Sequence, residues 1–264
     1  RARNDAHART HVHARSLGAR RRCDGRAGTR RHECRMSQPA QSKSHGSYEV
    51  GDFDMYLLAQ TWAAQFCCVK AERCSTVPWA FSAHHLSLHG LWPGFYSPRG
   101  NETYPAECAT KAKLLTDQLP REYIDMAPAF TKWNVEKHYA EVGSLAKHEW
   151  KKHGTCSGLT PEGYFNEALR AMKALPGDRG TPTVITQGIG KTVAASELRD
   201  AYEKRVAITT DKNCNLAEIT TCWAKDADGK VGQQVDCPEH VLRGRDSRCS
   251  NVLITQFGQC MLKK

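Results

Sequence analysis

The chain has 264 residues, 40% of them hydrophobic, and a formal net charge of +10. That length fits one large domain or two small ones, and no apolar run approaches the roughly 20 residues of a transmembrane helix, which excludes a helical span within this sequence. The charge is unevenly placed: residues 1–46 carry a net +9 and the rest a net +1, so the charge of the folded part argues neither for nor against nucleic acid.

Residues 1–46 are rich in Arg, His, Gly and Ser, with almost no large apolar side chain. Such a segment cannot bury enough surface to offset chain entropy, and it has no apolar core of a secretory signal. It reads as a disordered basic tail, non-native or processed, with Met36 as an internal start; the competing reading is an arm for polyanions. A single domain is expected over 47–264. "FDMYLLAQTWAAQFCC" (53–68) reads as a buried strand. "HHLSLHGLWP" (84–93) alternates, with Leu86, Leu88 and Gly90 on one side and His85, Ser87 and His89 on the other, and ends in a turn at Pro93-Gly94. Residues 94–105 form a loop carrying the glycosylation sequon at Asn101. Helical patterns follow over 106–118, 120–129, 133–152 and 161–174, the last with Thr160 as N-cap before Pro161. "TPTVITQGIGKTV" reads as loop, and "SELRDAYEKRV" as a short helix capped by Ser196. Strands and turns close the chain, with a hairpin turn near Asp228-Gly229. Strand, helices, strands is an α+β order.

Twelve cysteines point to a disulfide framework and an oxidising compartment. A structural zinc site is disfavoured, because no C-x-x-C pair occurs.

Chemistry concentrates in "KHEWKKHGTC" (147–156). A zinc protease helix reads H-E-x-x-H, with its histidines four apart. Here His148 and His153 are five apart, roughly 140° on a helix turning about 100° per residue, so they straddle a face rather than share an ion. Glu149 and Lys152 lie inside that arc, whereas Trp150 and Lys151 point elsewhere. A base, a carboxylate and a cation on one face suit acid–base work on an anion. The second constellation is "LHGLWPG": His89 at a strand end and Trp92 as a flat face for a base or sugar. The bland reading makes His89 a structural histidine and Trp92 a core anchor.

"HGLWP", "TYPAEC" and "HEWKKHGTC" together resemble the two active-site segments of the ribonuclease T2 family. The similarity runs from about Phe53 to Cys249 and includes the opening F-D-x-x-x-L-x-x-x-W-x-x-x-x-C pattern. It implies a mainly antiparallel sheet flanked by helices, and an endoribonuclease acting on single-stranded RNA, not DNA, without a metal or other cofactor. Secretion or a lysosomal or vacuolar compartment and a monomeric chain are also implied. By the same resemblance the catalytic residues are His89, His148, Glu149, Lys152 and His153. His153 would take the 2′-OH proton and His89 would protonate the leaving 5′-oxygen, giving a 2′,3′-cyclic phosphate and then a 3′-phosphate. Trp92 would flank the site, and Gln60 and Tyr104 are candidates for base contact.

The resemblance implies bridges Cys67–Cys74, Cys108–Cys156, Cys214–Cys249 and Cys222–Cys237. Cys23, Cys34, Cys68 and Cys260 are left over, with Cys68 either free or paired with Cys260. Two departures bear on base preference: Ala63 stands where the family usually has Pro, and Ala146 where it often has Trp. His84, His85, His138 and His240 match no catalytic position. Two other readings compete: a catalytically silent relative that binds RNA or protein, and a metallohydrolase.

Overall fold

The computed structural model describes residues 48–71, 74, 78, 80–109, 111–127 and 144–260. The segment 1–46, with Cys23 and Cys34, and residues 133–143, with His138, lie outside them. The chain folds around an antiparallel sheet in the order β2 (Ser87–Gly94), β1 (Met55–Thr61), β5 (Leu216–Lys225), β4 (Ala207–Thr210). A further strand, β6 (Val231–Val235), also pairs with β5 through the turn at Gly229, whose φ of 78° suits glycine. A second, two-stranded sheet joins β3 (Thr192–Ala194) to β7 (Asn251–Leu253).

Alternation along β1 divides its side chains between two cores. Tyr56 and Leu58 enter the larger one, with Phe165, Leu169 and Met172 of α4 (Pro161–Lys173). Met55, Leu57 and Ala59 face the smaller one, with Trp92 and with Val241 and Leu242 of α7 (Glu239–Arg245). The sheet thus has α4 on one face and α7 on the other, an α+β arrangement. Thr160 caps α4 as its position before Pro161 implies, accepting a hydrogen bond from the Gly163 amide at 3.1 Å.

Several elements differ from the sequence expectation. The apolar run 53–68 is not one strand: β1 ends at Thr61 and α1 (Ala63–Val69) follows. A continuous apolar run carries no period that separates strand from helix. Trp62 fixes the corner by donating its indole N–H to the Thr255 carbonyl at 2.8 Å. Residues 106–109 and 111–118 are irregular, with a single 3-10 turn at Thr116–Gln118, and α2 spans only Arg121–Met126. The presumed loop after Thr181 holds α5 (Thr183–Gln187) as well as β3. Ser196 lies inside α6 (Ala195–Asp200), whose N-cap is Ala194. β2 runs through Pro93 to Gly94, which an edge strand tolerates because a missing N–H there costs no ladder bond.

Five disulfides lie among the described residues: Cys67–Cys74, Cys68–Cys260, Cys108–Cys156, Cys214–Cys249 and Cys222–Cys237. The Cys68–Cys260 bridge ties α1 to the end of the chain.

Candidate active site

The site is built on an irregularity of the sheet edge. Ala59 pairs with Gly90 and Gln60 with Leu88, which leaves His89 as the extra residue of a β-bulge. The bulge reverses the side-chain phase. Leu88 and Leu91, three apart, both enter the larger core, and Trp92 faces the smaller one. The strict alternation expected over 84–93 therefore breaks at His89. Without the bulge, His89 and Trp92 would face opposite sides of the sheet; with it their rings lie 5.3 Å apart, edge to face.

The second half comes from α3 (Ser144–Lys152), which packs along β2 with Ala146 and Trp150 in the larger core. The adjoining flank of the helix presents buried Glu149 to β2. Trp92 Nε1 donates to Glu149 Oε2 at 2.7 Å, and Glu149 Oε1 lies 3.8 Å from His89 Nε2. Gly90 makes this approach possible: a Cβ there would sit 2.0 Å from Glu149 Oε2 and 2.5 Å from Trp92 Nε1. His153 follows the end of the helix, its ring 5.3 Å from Trp92 and 5.8 Å from Tyr104. Lys152 sits over the Tyr104 ring at 5.4 Å. Lys151 turns to Glu107.

The 140° separation expected of His148 and His153 does not describe the structure. That angle assumes the helix continues, but it stops at Lys152, and His153 has φ −115° and ψ −52°. Donor atoms of His148, Glu149 and His153 consequently lie within 4.8 Å of one another, close enough to converge on one ion. The positive charge of Lys152, which adds to burial in lowering both histidines, opposes a cation there. Glu149 also commits one oxygen to Trp92. Among the described residues, His153 Nδ1 is buried with no hydrogen-bond partner, so no carboxylate orients His153 through that atom.

The two flanking histidines are tuned in opposite directions. For His89, burial alone would lower the pKa, but the hydrogen bond and charge of Glu218 and the charge of Glu149 outweigh it, leaving the pKa raised. For His153, burial and then the charges of Lys152, His148, His89 and Arg245 push the pKa far down. Burial raises Glu149 to about 7, against the pull of His89, the Trp92 hydrogen bond and Lys152. His148 is exposed and shifted down, by partial burial and then by Lys152 and His89.

Two clefts adjoin at this point. One, of about 540 Å³, is lined by Leu57, Trp92, Tyr104, Lys152, His153 and Arg245. The other, of about 690 Å³, is lined by Phe66, Val69, His89, Leu145, His148 and Glu218. Gln60 reaches neither. It belongs to the face of β1 that carries Tyr56 and Leu58, is wholly buried, and donates to the Gly180 carbonyl at 3.0 Å. It is removed from the candidate base contacts for that reason. Asn101 is exposed on its loop.

Two residues at the site had no place in the sequence reading. Glu218 Oε2 lies 2.8 Å from His89 Nδ1, and its Oε1 receives Arg245 Nη1 at 3.0 Å. The Arg245 guanidinium stands 4.6 Å above the Trp92 ring. Glu218 did leave a signal, an acidic residue in the otherwise β-branched and apolar run "LAEITTCW". Arg245 left none.

The family model described as "Ribonuclease T2 family" matches residues 53–237. The intracellular ribonuclease LX of Solanum lycopersicum is 26% identical over 211 residues, covering 71% of this chain and 78% of that protein. A ribonuclease of Aeromonas hydrophila is 33% identical over 137 residues, 49% of this chain and 50% of its own length. Among solved structures, trichomaglin, described as an S-like ribonuclease, superposes with a TM-score of 0.56 at 19% identity, covering 78% of this chain and 99% of that one.

Proposed function

The chain belongs to the ribonuclease T2 family, and from that premise we propose that it is an endoribonuclease cleaving single-stranded RNA by transphosphorylation. The observation that carries the reading is the placement of the His89 and His153 rings against Trp92, each 5.3 Å from it, with pKa values driven apart. Opposed tuning of two titratable groups marks a base and an acid. His153, kept neutral, takes the 2′-OH proton as the oxygen attacks phosphorus. His89, its pKa raised by Glu218 and Glu149 against burial, delivers its proton to the departing 5′-oxygen. A bound phosphate adds negative charge beside His153 and raises its basicity for the step.

Lys152 and His148 supply positive charge for the phosphoryl oxygens. Glu149, with a pKa of about 7, holds a proton near neutral pH and can donate it to a phosphoryl oxygen. Trp92 and Tyr104 offer flat faces on the first cleft, and the second, more apolar cleft accepts the neighbouring nucleotide. Unstacked bases are needed to fill both, which favours single strands, and the nucleophile requires RNA rather than DNA. The charge these side chains carry serves the reaction without a metal. Five disulfides fit an oxidising compartment, secreted or endolysosomal, and exposed Asn101 fits a glycosylated chain.

Product analysis on defined dinucleotides tests the reading. The expected outcome is a 2′,3′-cyclic phosphate, later a 3′-phosphate, formed equally well in excess chelator. Loss of cleavage on chelation with recovery on added zinc would transfer the chemistry to the His148, Glu149 and His153 cluster.

A further inference from the structure

We infer that Glu218, held in place by Arg245, is a positioning residue that sets the ring orientation and protonation of His89. The inference rests on the reading of His89 as proton donor. It begins with a geometric problem. The bulge that turns His89 toward Trp92 also removes it from the regular ladder, so its ring orientation is not set by strand alternation. The fixing group comes from two strands away. Glu218 on β5 pairs with Thr61 on β1, and Thr61 pairs in turn with Ser87 on β2. All lie on the face of the sheet that carries Ala59 and Leu57.

Glu218 is 14% exposed at its side chain, and one oxygen lies 2.8 Å from His89 Nδ1. An Nδ1–H donating to this carboxylate leaves Nε2 as the nitrogen aimed at the site, where it faces Glu149 Oε1. In the cleavage step the P–O5′ bond breaks and its electron pair goes to O5′, which takes the Nε2 proton. The P–O2′ bond forms as the 2′-OH proton passes to His153. His89 ends neutral, with Nδ1–H still held by Glu218. The second Glu218 oxygen would be free to rotate, but Arg245 closes that freedom at 3.0 Å. Arg245 is itself fixed by its place over Trp92 and at the end of α7, where the Thr209 hydroxyl donates to its carbonyl. The charged and titratable groups around His89 include Glu218 from β5, Arg245 from α7, Glu149 and His148 from α3, and His153 just beyond it, with Lys70 and Asp211 lining the same cleft. Glu218 is in direct hydrogen-bond contact with His89 Nδ1, at 2.8 Å.

The test compares two substrates of one enzyme. A dinucleotide has a poor alkoxide leaving group that needs a proton; a nucleoside 3′-(4-nitrophenyl phosphate) leaves as a stable phenolate and does not. For Glu218→Ala, kcat on the dinucleotide is expected to fall on the order of 10- to 100-fold, part of the 10²–10⁴ that a positioned acid contributes, with KM little changed. Cleavage of the nitrophenyl ester is expected to stay near wild type, which also reports an intact fold. Glu218→Gln keeps an acceptor but loses the charge, so the alkaline limb of the kcat profile moves to lower pH. Arg245→Met is expected to show the same leaving-group contrast at smaller size. His89→Ala is the reference: if it loses both substrates equally, the proton-donor reading itself fails. If His89→Ala shows the contrast but Glu218→Ala loses both substrates equally, or neither, the positioning role is overturned.

Discussion

Gly90 shows how tightly the site is specified by one residue. Its missing side chain is the space in which Glu149 and Trp92 meet, and a methyl group there would overlap both. Gly90→Ala is expected to cut kcat/KM on a dinucleotide by about 100-fold or more, since a displacement of about 1 Å costs that much. Near-wild-type kinetics of this variant would mean that the Trp92–Glu149 contact is dispensable. Glu149 carries a second consequence. Its pKa is raised from 4.5 to about 7, so the folded state holds a proton there that the unfolded chain releases. The sign is fixed: Glu149 costs no stability below about pH 4.5, costs more as pH rises, and costs most above about 7. Glu149→Gln should therefore raise the melting temperature at pH 8 more than at pH 5 while lowering activity. Equal shifts at both pH values would show that the carboxyl is not held protonated.

At the scale of elements, two boundaries make the site. The bulge in β2 brings His89 and Trp92 to one face, and the end of α3 swings His153 back toward that face. The helix end is followed at once by the 3-10 turn Gly154–Cys156 and by the Cys108–Cys156 bridge. That bridge ties the loop beyond Tyr104 to the segment holding His153. Replacing both cysteines with Ala is expected to cost about 2–4 kcal/mol, read as a lower denaturant midpoint. KM should rise as well, because Tyr104 and Lys152 flank the first cleft. A midpoint shift with unchanged KM would limit the bridge to stability. Thr160→Ala removes the α4 cap and should cost about 1 kcal/mol with no change in kcat, since α4 supports the sheet from the face away from the site.

For the whole molecule, the net +9 of residues 1–46 is a charge carried outside the two active-site segments. Deleting 1–46 is expected to leave dinucleotide cleavage unchanged. It should weaken binding of long RNA at low salt, with the difference fading as salt rises, because phosphate contacts are paid back by counterion release. Loss of dinucleotide cleavage in a folded truncated protein would place part of the active site in that segment.

The sequence by itself determined the chemistry on offer: His89 beside Trp92, and His148, Glu149, Lys152 and His153 crowded together. It also showed the α+β order and the Thr160 cap, because these depend on residue type and local spacing. It misjudged what depends on where regular structure stops. The i,i+5 angle between His148 and His153 presumed a helix that ends one residue earlier, and the alternation through His89 presumed a ladder without a bulge. Gln60 looked available because its burial depends on which face β1 turns to the larger core. Glu218 and Arg245 stayed hidden because they lie 129 and 156 positions after His89, and only strand pairing and the docking of α7 bring them together. Local periodicity is written into neighbouring residues; a bulge, a helix end and a contact across three strands are settled by packing and by the hydrogen bonds of distant segments.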